Sequence, residues 1–269
     1  MAILLYSGTG PRGSTDRLFF WLANIGVSDS LRLPEGERIL DSAISRDGKF
    51  LCAITETGGE TRLVTAVLDA ASADPVMILK SRRPAILFPR LSPSGQRIAC
   101  LEAMEDGTFR LRCLQCDGQD WIEMPIDIET APVPFDWDLD DLTIVHTCPD
   151  GRLARTVIEP ERHSAIVDDF GLLPVISCDG KALAFVSGKD LVVISIEGEQ
   201  IFTVGPDIGA LAWSRDEQNL YIAFILAQDR TEVVRFDTAS GLMTSLFTTC
   251  EVDYMAEVDS VPSWASFVD

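Results

Sequence analysis

The sequence predicts an all-β fold, and three observations support that prediction. A short motif, SRDGKFLCAI at 45–54, returns several times along the chain. A second hairpin pattern lies between successive copies, so each period holds four strands. No stretch carries sustained apolar spacing of 3.6 residues with helix caps, so few helices are expected. A period of about 40–45 residues with four strands is typical of a propeller blade, and we predict a six-bladed β-propeller.

Each copy of the motif has an apolar stretch, then a Ser with a polar turn, then a second apolar stretch. The further copies SPSGQRIACL, SCDGKALAFV and SRDEQNLYIA begin at 92, 177 and 214. In a degenerate copy at 135–147, Asp138 takes the place of the Ser. Gly in Asp-Gly and Ser-Gly accepts the positive φ of tight turns, so the pattern predicts a hairpin at each copy.

The spacing of the copies predicts the blades. Successive motif positions, from Ser45 to Ser214, are 47, 46, 39 and 37 residues apart. Residues 1–33 read as three strands and residues 261–268 as one more. We therefore expect a closing blade built from the C-terminal strand plus three N-terminal strands, because closure removes a free sheet edge. The predicted single domain, 1–269, then has blades at about 39–80, 86–126, 133–167, 173–204 and 210–249, with 261–269 joined to 1–34 in the closing blade.

The quoted copies resemble the S-P-D-G-x-x-[LI]-[AV] motif of the TolB-like, WD40-like (PD40) propeller repeats. The resemblance covers nearly the whole chain, although only four of the five copies keep the Ser and only two have Asp-Gly. It implies a propeller scaffold. Because such repeats serve many duties, it implies no particular activity.

Composition narrows the classes of partner. The formal net charge is −20, with 42 acidic residues, and this field repels a phosphate backbone, so we expect no nucleic acid partner. A basic partner is the natural counterpart, although an acidic surface can also serve solubility alone.

The N-terminus lacks a basic segment and no run of about 18 apolar residues occurs, so we expect no membrane insertion and a cytoplasmic location. Seven cysteines, an odd number, suit small apolar fillers in a reducing compartment.

Three motifs of the sequence suggest chemical sites, and for each of them a structural role is favoured. GTGPRG at 8–13 matches G-x-G-x-x-G, but no βαβ order follows, so a loop is favoured. Cys113 and Cys116 form a lone C-x-x-C without two further zinc ligands nearby, which favours a plain hairpin. The acidic stretch 136–141 lacks the spacing of a calcium loop. No G-x-S-x-G elbow, which would mark a nucleophilic Ser, occurs, and we find no catalytic signature. We predict neither a cofactor nor a metal.

Binding residues are expected on one face of the propeller. By resemblance to other propellers, the loops that lead into the first strand of each blade share a face with the loops that join the second and third strands. We call this side the loop face. Loops on a rigid scaffold concentrate binding residues. The residues predicted to bind a partner there are Arg12, Arg82, Arg83, Glu102, Glu129, His146, Asp207, Arg230 and Tyr254.

Two classes of function remain open at this stage. The first is a non-catalytic scaffold that binds a protein or peptide partner through the loop face. The second is a small-molecule-binding propeller, or an enzyme whose site, with or without a metal, lies at the mouth of the central channel. The paired arginines Arg82 and Arg83 could hold a carboxylate or phosphate in the second case. A polar channel with perturbed pKa values would favour the second class, and an exposed apolar patch the first.

Overall fold

The structure is a computed structural model of the 269-residue chain. It describes residues 3–7, 17–22, 27–32, 38–45, 49–57, 60–67, 76–81, 86–117, 120–159, 161–195, 198–205, 207–227, 230–249, 252 and 254–258. Every regular element in these ranges is a β-strand. None of the described residues forms a helix long and apolar enough to cross a membrane. The all-β prediction is therefore confirmed for this part of the chain.

The strands follow one another along the chain in a regular order. The first eight are β1 Ile3–Ser7, β2 Arg17–Leu22, β3 Val27–Arg32, β4 Arg38–Ile44, β5 Phe50–Thr57, β6 Glu60–Val67, β7 Val76–Ser81 and β8 Ile86–Leu91. The next eight are β9 Arg97–Ala103, β10 Phe109–Asp117, β11 Asp120–Thr130, β12 Asp136–Trp137, β13 Thr143–Thr147, β14 Arg152–Ile158, β15 Glu161–Phe170 and β16 Leu172–Ile176. The last eight are β17 Ala182–Ser187, β18 Asp190–Ser195, β19 Gly198–Thr203, β20 Ile208–Trp213, β21 Asn219–Ala227, β22 Arg230–Asp237, β23 Met243–Thr249 and β24 Tyr254–Val258.

The described strands form antiparallel four-stranded sheets. Five of these sheets each use four consecutive strands: β4–β7, β8–β11, β12–β15, β16–β19 and β20–β23. We call the first strand of each the inner strand, because the inner strands contact one another in the order β4, β8, β12, β16, β20. Sheets that pack face to face around a shared axis of inner strands make a β-propeller. The propeller prediction is confirmed.

A further four-stranded sheet joins the two ends of the chain, in the order β24, β1, β2, β3. Its inner strand β24 pairs with β1, with Leu5 opposite Ala256, and contacts both β20 and β4. The prediction of a sheet from one C-terminal and three N-terminal strands is right in kind. Its bounds are corrected, because the strand paired with β1 is Tyr254–Val258 and not the stretch 261–269. The predicted strand at 261–269 lies outside the described residues.

The repeated Ser has a structural task at the turn between first and second strands. Ser45 is buried, and its Oγ accepts a hydrogen bond from the Phe50 backbone N–H at 2.9 Å. Ser177 does the same for Ala182, also at 2.9 Å, and its hydroxyl also donates to Asp179. Gly180, three residues after Ser177, has the positive φ of 73° that the turn requires. The hydroxyl thus satisfies a buried N–H where the second strand begins, which explains why the motif returns.

Tryptophan side chains join neighbouring inner strands. Trp137 of β12 is buried, and its indole N–H donates to the Arg90 carbonyl of β8 at 3.1 Å. Trp213 of β20 donates in the same way to Val175 of β16 at 3.0 Å. Both rings lie in apolar clusters that include residues of the neighbouring sheet. Both tryptophans are therefore core residues between neighbouring sheets.

The inner strands carry irregularities near their beginnings. Register shifts follow Ile39 in β4, Leu87 in β8, Leu172 in β16 and Ile208 in β20. At two of these places a bulky residue has positive φ, 51° at Phe88 and 53° at Leu173. A bulge bends its strand and re-aims its side chains. The positions next to these shifts form the wall of a cavity on the axis.

Candidate functional site

Two concave regions of the described structure could hold a ligand. The first, which we call the axial cavity, has a volume of about 230 Å³ and lies among the inner strands. The second, which we call the interblade cleft, has a volume of about 520 Å³ and lies beside the β20–β23 sheet.

The axial cavity has an apolar wall with one charged group. The residues that line it are Leu40, Asp41, Ile54, Ile86, Leu87, Phe88, Pro134, Leu173 and Gly209. They come from β4, β5, β8, β16, β20 and the segment before β12. Asp41 is the one ionisable side chain among these described residues. The cavity can therefore enclose an apolar group and present a single carboxyl to it.

The Asp41 carboxyl is buried beside one cation. Its side chain is 10% exposed, and Oδ2 lies 3.8 Å from the Arg90 guanidinium, which is 7% exposed. That distance makes an ion pair but is too long for a hydrogen bond. The other oxygen, Oδ1, accepts the Ser42 backbone N–H at 2.7 Å. An ionised carboxylate can accept about four hydrogen bonds, so acceptor capacity remains on this group.

Burial raises the pKa of Asp41 to about 6, although Arg90 and the backbone N–H groups of Ser42 and Phe88 act to lower it. Desolvation therefore outweighs the attraction of the guanidinium, because the charged form loses more hydration than the pair restores. Two cysteine thiols nearby in the same core, Cys52 and Cys100, also have raised pKa values because of burial. These thiols stay protonated and serve as apolar filling, as predicted for the cysteines of the motif strands.

The interblade cleft lies between two neighbouring sheets. Val234 and Phe236 of β22 share a core cluster with residues of β17 and β18, so this face of β20–β23 is turned toward β16–β19. The cleft runs along that face from the loop before β20. The residues that line it are Val204, Gly205, Asp207, Phe224, Ile225, Leu226, Glu232, Val234, Met243 and Ser245.

The interblade cleft combines exposed apolar side chains with carboxylates. Ile225 is 46% exposed, Leu226 51% and Met243 39%. Asp207 and Glu232 are the ionisable residues among its described lining, and both are acidic. Large apolar side chains that share one concave surface with a polar rim are typical of sites that bind another molecule. The cleft therefore suits a ligand that carries apolar groups and positive charge.

Backbone geometry fixes Asp207 at one end of the cleft. The backbone of this residue has a positive φ of 61°, which is uncommon for residues other than Gly. Its carbonyl accepts the Ile225 backbone N–H at 2.8 Å, which ties the loop before β20 to the end of β21. Such strain persists only where the surroundings determine it, and it is common at binding sites.

The structure separates the residues predicted from the sequence. Asp207 lines the cleft, and Arg230 is exposed at the start of β22, two residues before Glu232. Glu102 faces Arg112 at 3.1 Å within the β8–β11 sheet, and Glu129 is exposed at the end of β11. Tyr254 lies in β24, opposite Ser7. Arg12, Arg82 and Arg83 lie outside the described residues, as does the glycine-rich stretch 8–13.

The prediction that His146 reaches the rim of the loop face is wrong. The ring is 1% exposed on β13, and its Nε2 lies 3.0 Å from the Thr156 hydroxyl of β14. His146 lies in β13, whose residues are all buried, so both faces of this strand are covered. It is therefore not available to an outside ligand.

The other sequence motifs have structural roles. The acidic stretch of β12 and its turn is engaged internally: Asp136 accepts the Ile176 N–H at 2.8 Å, Asp138 pairs with Arg155, and Asp141 accepts the Ser94 N–H at 3.0 Å. Cys113 and Cys116 lie in one strand of the β10–β11 hairpin, as predicted. In the part of the chain that the structure describes, no group of three or more His, Cys, Asp or Glu side chains could hold a metal ion.

Sequence reasoning missed the apolar half of the cleft and the carboxyl of the axial cavity. Ile225 and Leu226 belong to an apolar strand pattern, and only the position of the strand end on the surface makes them exposed. Asp41 lies inside the apolar stretch ILDSAI. An acidic residue in such a stretch is uncommon and could have indicated a buried carboxyl group.

Known proteins resemble this chain in structure. No family model matches the sequence, and no curated protein matches it. TolB from Acinetobacter baumannii matches with a TM-score of 0.76 at 14% identity, over 96% of this chain and 67% of that one. A chain of a nidogen/laminin complex matches at 0.70 and 13% identity, over 97% and 99%. A putative 6-phosphogluconolactonase from Bacteroides fragilis matches at 0.61 and 11% identity, over 96% and 98%.

These likenesses establish a class of fold. The axis of inner strands defines a β-propeller, and within that class the chain is similar in structure to TolB proteins, the resemblance that its repeats imply. At these identities the likeness concerns the fold alone.

Proposed function

We propose that this protein is a non-catalytic propeller scaffold that binds a protein or peptide partner at the interblade cleft. The observation that carries the proposal is the exposure of Ile225, Leu226 and Met243 in one cleft whose described charges, Asp207 and Glu232, are both acidic. An anchor residue buried in such a cleft supplies most of the affinity of a small interface. Carboxylates at its edge set specificity and association rate.

The charge of the chain favours a basic partner segment. A net charge of −20 attracts cationic segments over long range, and Asp207 and Glu232 would receive a Lys or Arg side chain locally. The nidogen/laminin complex is one case in which a propeller of this fold was crystallised with a partner. The likeness to a putative 6-phosphogluconolactonase, at 11% identity, supports no lactonase activity here.

A closed ring of six blades would give this cleft a rigid frame. We count the sheet of β24 and β1–β3 as the sixth blade, because its inner strand contacts both β20 and β4. Closure would fix the position of β20–β23 against both of its neighbours, and rigid elements hold a binding site more precisely than loops do.

Peptide selection with matched variants tests the docking proposal. Random peptides displayed on phage are selected on the wild-type protein, and the enriched peptides are measured by fluorescence anisotropy. We expect sequences with Lys or Arg beside an aliphatic residue, and at least a ten-fold loss of affinity in Leu226→Ser. The control is Ile122→Ser on β11, because Ile122 is 54% exposed, close to Leu226 at 51%, but lies outside the cleft. Equal losses in both variants would exclude the cleft as the docking site.

A further inference from the structure

The axial cavity differs in kind from the interblade cleft, because it is narrow and built from buried inner strands. Its volume of about 230 Å³ is below the 300–1,000 Å³ that is usual for drug-sized ligands, so an occupant must be small. Apolar side chains of several inner strands surround it, among them Leu40, Phe88 and Leu173. These residues lie at or beside the register shifts, so the same irregularity of several strands builds the wall.

The cavity also holds one buried polar group with unused capacity. Asp41 lines the cavity, is nine-tenths buried and accepts hydrogen bonds from the backbone N–H groups of Ser42 and Phe88, which is fewer than the four that a carboxylate can accept. Its nearest cation, Arg90, lies 3.8 Å away and is not among the residues that line the cavity. Of the two ionised residues, only Asp41 belongs to the wall of the cavity.

We propose that the axial cavity binds a small molecule with an apolar body and one protonated amine, whose ammonium group donates hydrogen bonds to the Asp41 carboxylate. The amine supplies donors for the acceptor capacity that the backbone N–H groups leave on the carboxylate, and the body covers an apolar wall. A carboxylate ligand of the same shape is disfavoured, because it would place a second negative charge beside Asp41 in a poorly hydrated site. This site is separate from the interblade cleft and does not depend on a protein partner.

Three probes of nearly equal shape test the proposal on the wild-type protein. Binding of cyclohexylmethylamine, cyclohexylmethanol and cyclohexanecarboxylate is measured by isothermal titration calorimetry at neutral pH. We expect saturable binding of the amine at least ten-fold tighter than that of the alcohol, with the carboxylate weakest. Equal affinity of amine and alcohol, or no saturable binding of the amine in the millimolar range, would overturn the proposal.

Variants locate the bound amine. Asp41→Asn should remove the preference for the amine over the alcohol, and Leu173→Trp should abolish binding of both by filling the cavity. Asp41→Asn removes the carboxylate of the ion pair with Arg90, so the fold of this variant is first checked by circular dichroism. If this variant does not fold, the result for Leu173→Trp decides the test. The double variant Asp207→Asn with Glu232→Gln should bind the amine as the wild type does. Binding that survives Leu173→Trp but is lost in this double variant would place the amine in the cleft and refute the axial site.

Discussion

Asp41 on β4 and Arg90 on β8 form a buried ion pair, with 3.8 Å between the carboxylate and the guanidinium. The Arg90 carbonyl in turn accepts the indole N–H of Trp137 on β12. Three consecutive inner strands are thus joined at one residue by polar contacts, in a region that is otherwise apolar. A buried polar network of this kind is costly when one partner is lost, because the remaining group keeps its desolvation penalty.

The pH dependence of stability should report the burial of Asp41. Its pKa of about 6 in the folded state lies above the ordinary 3.8, so the folded protein binds this proton more tightly than the unfolded chain does. The contribution of Asp41 to stability is therefore complete below pH 4 and is lost as pH rises through 6. The shift corresponds to about 3 kcal/mol of unfolding free energy.

Urea unfolding at several pH values checks this prediction. The stability of the wild type relative to Asp41→Asn should fall by up to about 3 kcal/mol between pH 4 and pH 7. Asp127→Asn is the control, since that carboxylate is 75% exposed beside Arg110 and its loss should change the curve little. Parallel curves for wild type and Asp41→Asn would show that Asp41 titrates normally in the folded state.

The hydrogen bond between neighbouring inner strands should be measurable at Trp137. Trp137→Phe keeps an aromatic ring in the core but leaves the buried Arg90 carbonyl without the indole N–H. We expect a loss of about 1–3 kcal/mol of unfolding free energy, and about 3–5 kcal/mol for Trp137→Ala, which also leaves a cavity. Trp121→Phe serves as the control, because Trp121 is only partly buried on β11. If both Phe variants unfold at the same urea concentration, the hydrogen bond contributes little.

Local features of the sequence predicted most of the fold. Ser177, its turn and Gly180 lie within a few residues of one another, so the hairpin they define could be predicted without knowledge of the rest of the chain. The position of the strand that pairs with β1 depends on pairing between distant residues, and the sequence pattern predicts the apolar stretch at 261–268 in its place. No local feature of Tyr254–Val258 marks that segment as the partner of β1.

The candidate sites were less predictable than the fold for a related reason. Asp207 was named because the order of strands assigns the loop before β20 to the loop face, and the structure places this residue in the wall of the cleft. The axial cavity is lined by Phe88 and Leu173, which have positive φ, a conformation that no local motif of the sequence marks. His146 shows the opposite error, since a residue near a strand end was expected to be accessible, whereas every residue of β13 is buried.

The Ser of the repeat should stabilise the hairpin in which it lies. Ser177→Ala removes the acceptor of the Ala182 N–H and the donor to Asp179, at a site that is 1% exposed. We expect a loss of about 1–3 kcal/mol, because a buried N–H is left unsatisfied. Ser164→Ala, at an exposed position on β15, is the matched control and should change stability by less than about 0.5 kcal/mol. Unfolding in urea, followed by tryptophan fluorescence, measures both, and equal stability would assign the repeat a role other than this hydrogen bond.

The strand β24 should make the stability of the protein depend on pairing between the two ends of the chain. Met255 of β24 is 2% exposed and lies in one apolar cluster with Ala223 and Val233 of the β20–β23 sheet. Deletion of 254–269 should therefore expose the edge of β1 and one face of β20–β23, and lead to unfolding or aggregation. Deletion of 261–269 leaves β24 in place and should cost less.

Thermal unfolding and light scattering of the two truncated proteins compare these costs. Met255→Asp is the point variant that isolates burial from chain length, and it should lower stability by several kcal/mol because it places a charge in an apolar cluster. A wild-type melting temperature for the protein that lacks 254–269 would contradict closure by β24. Equal losses for both deletions would instead show that residues beyond 260 carry the closure.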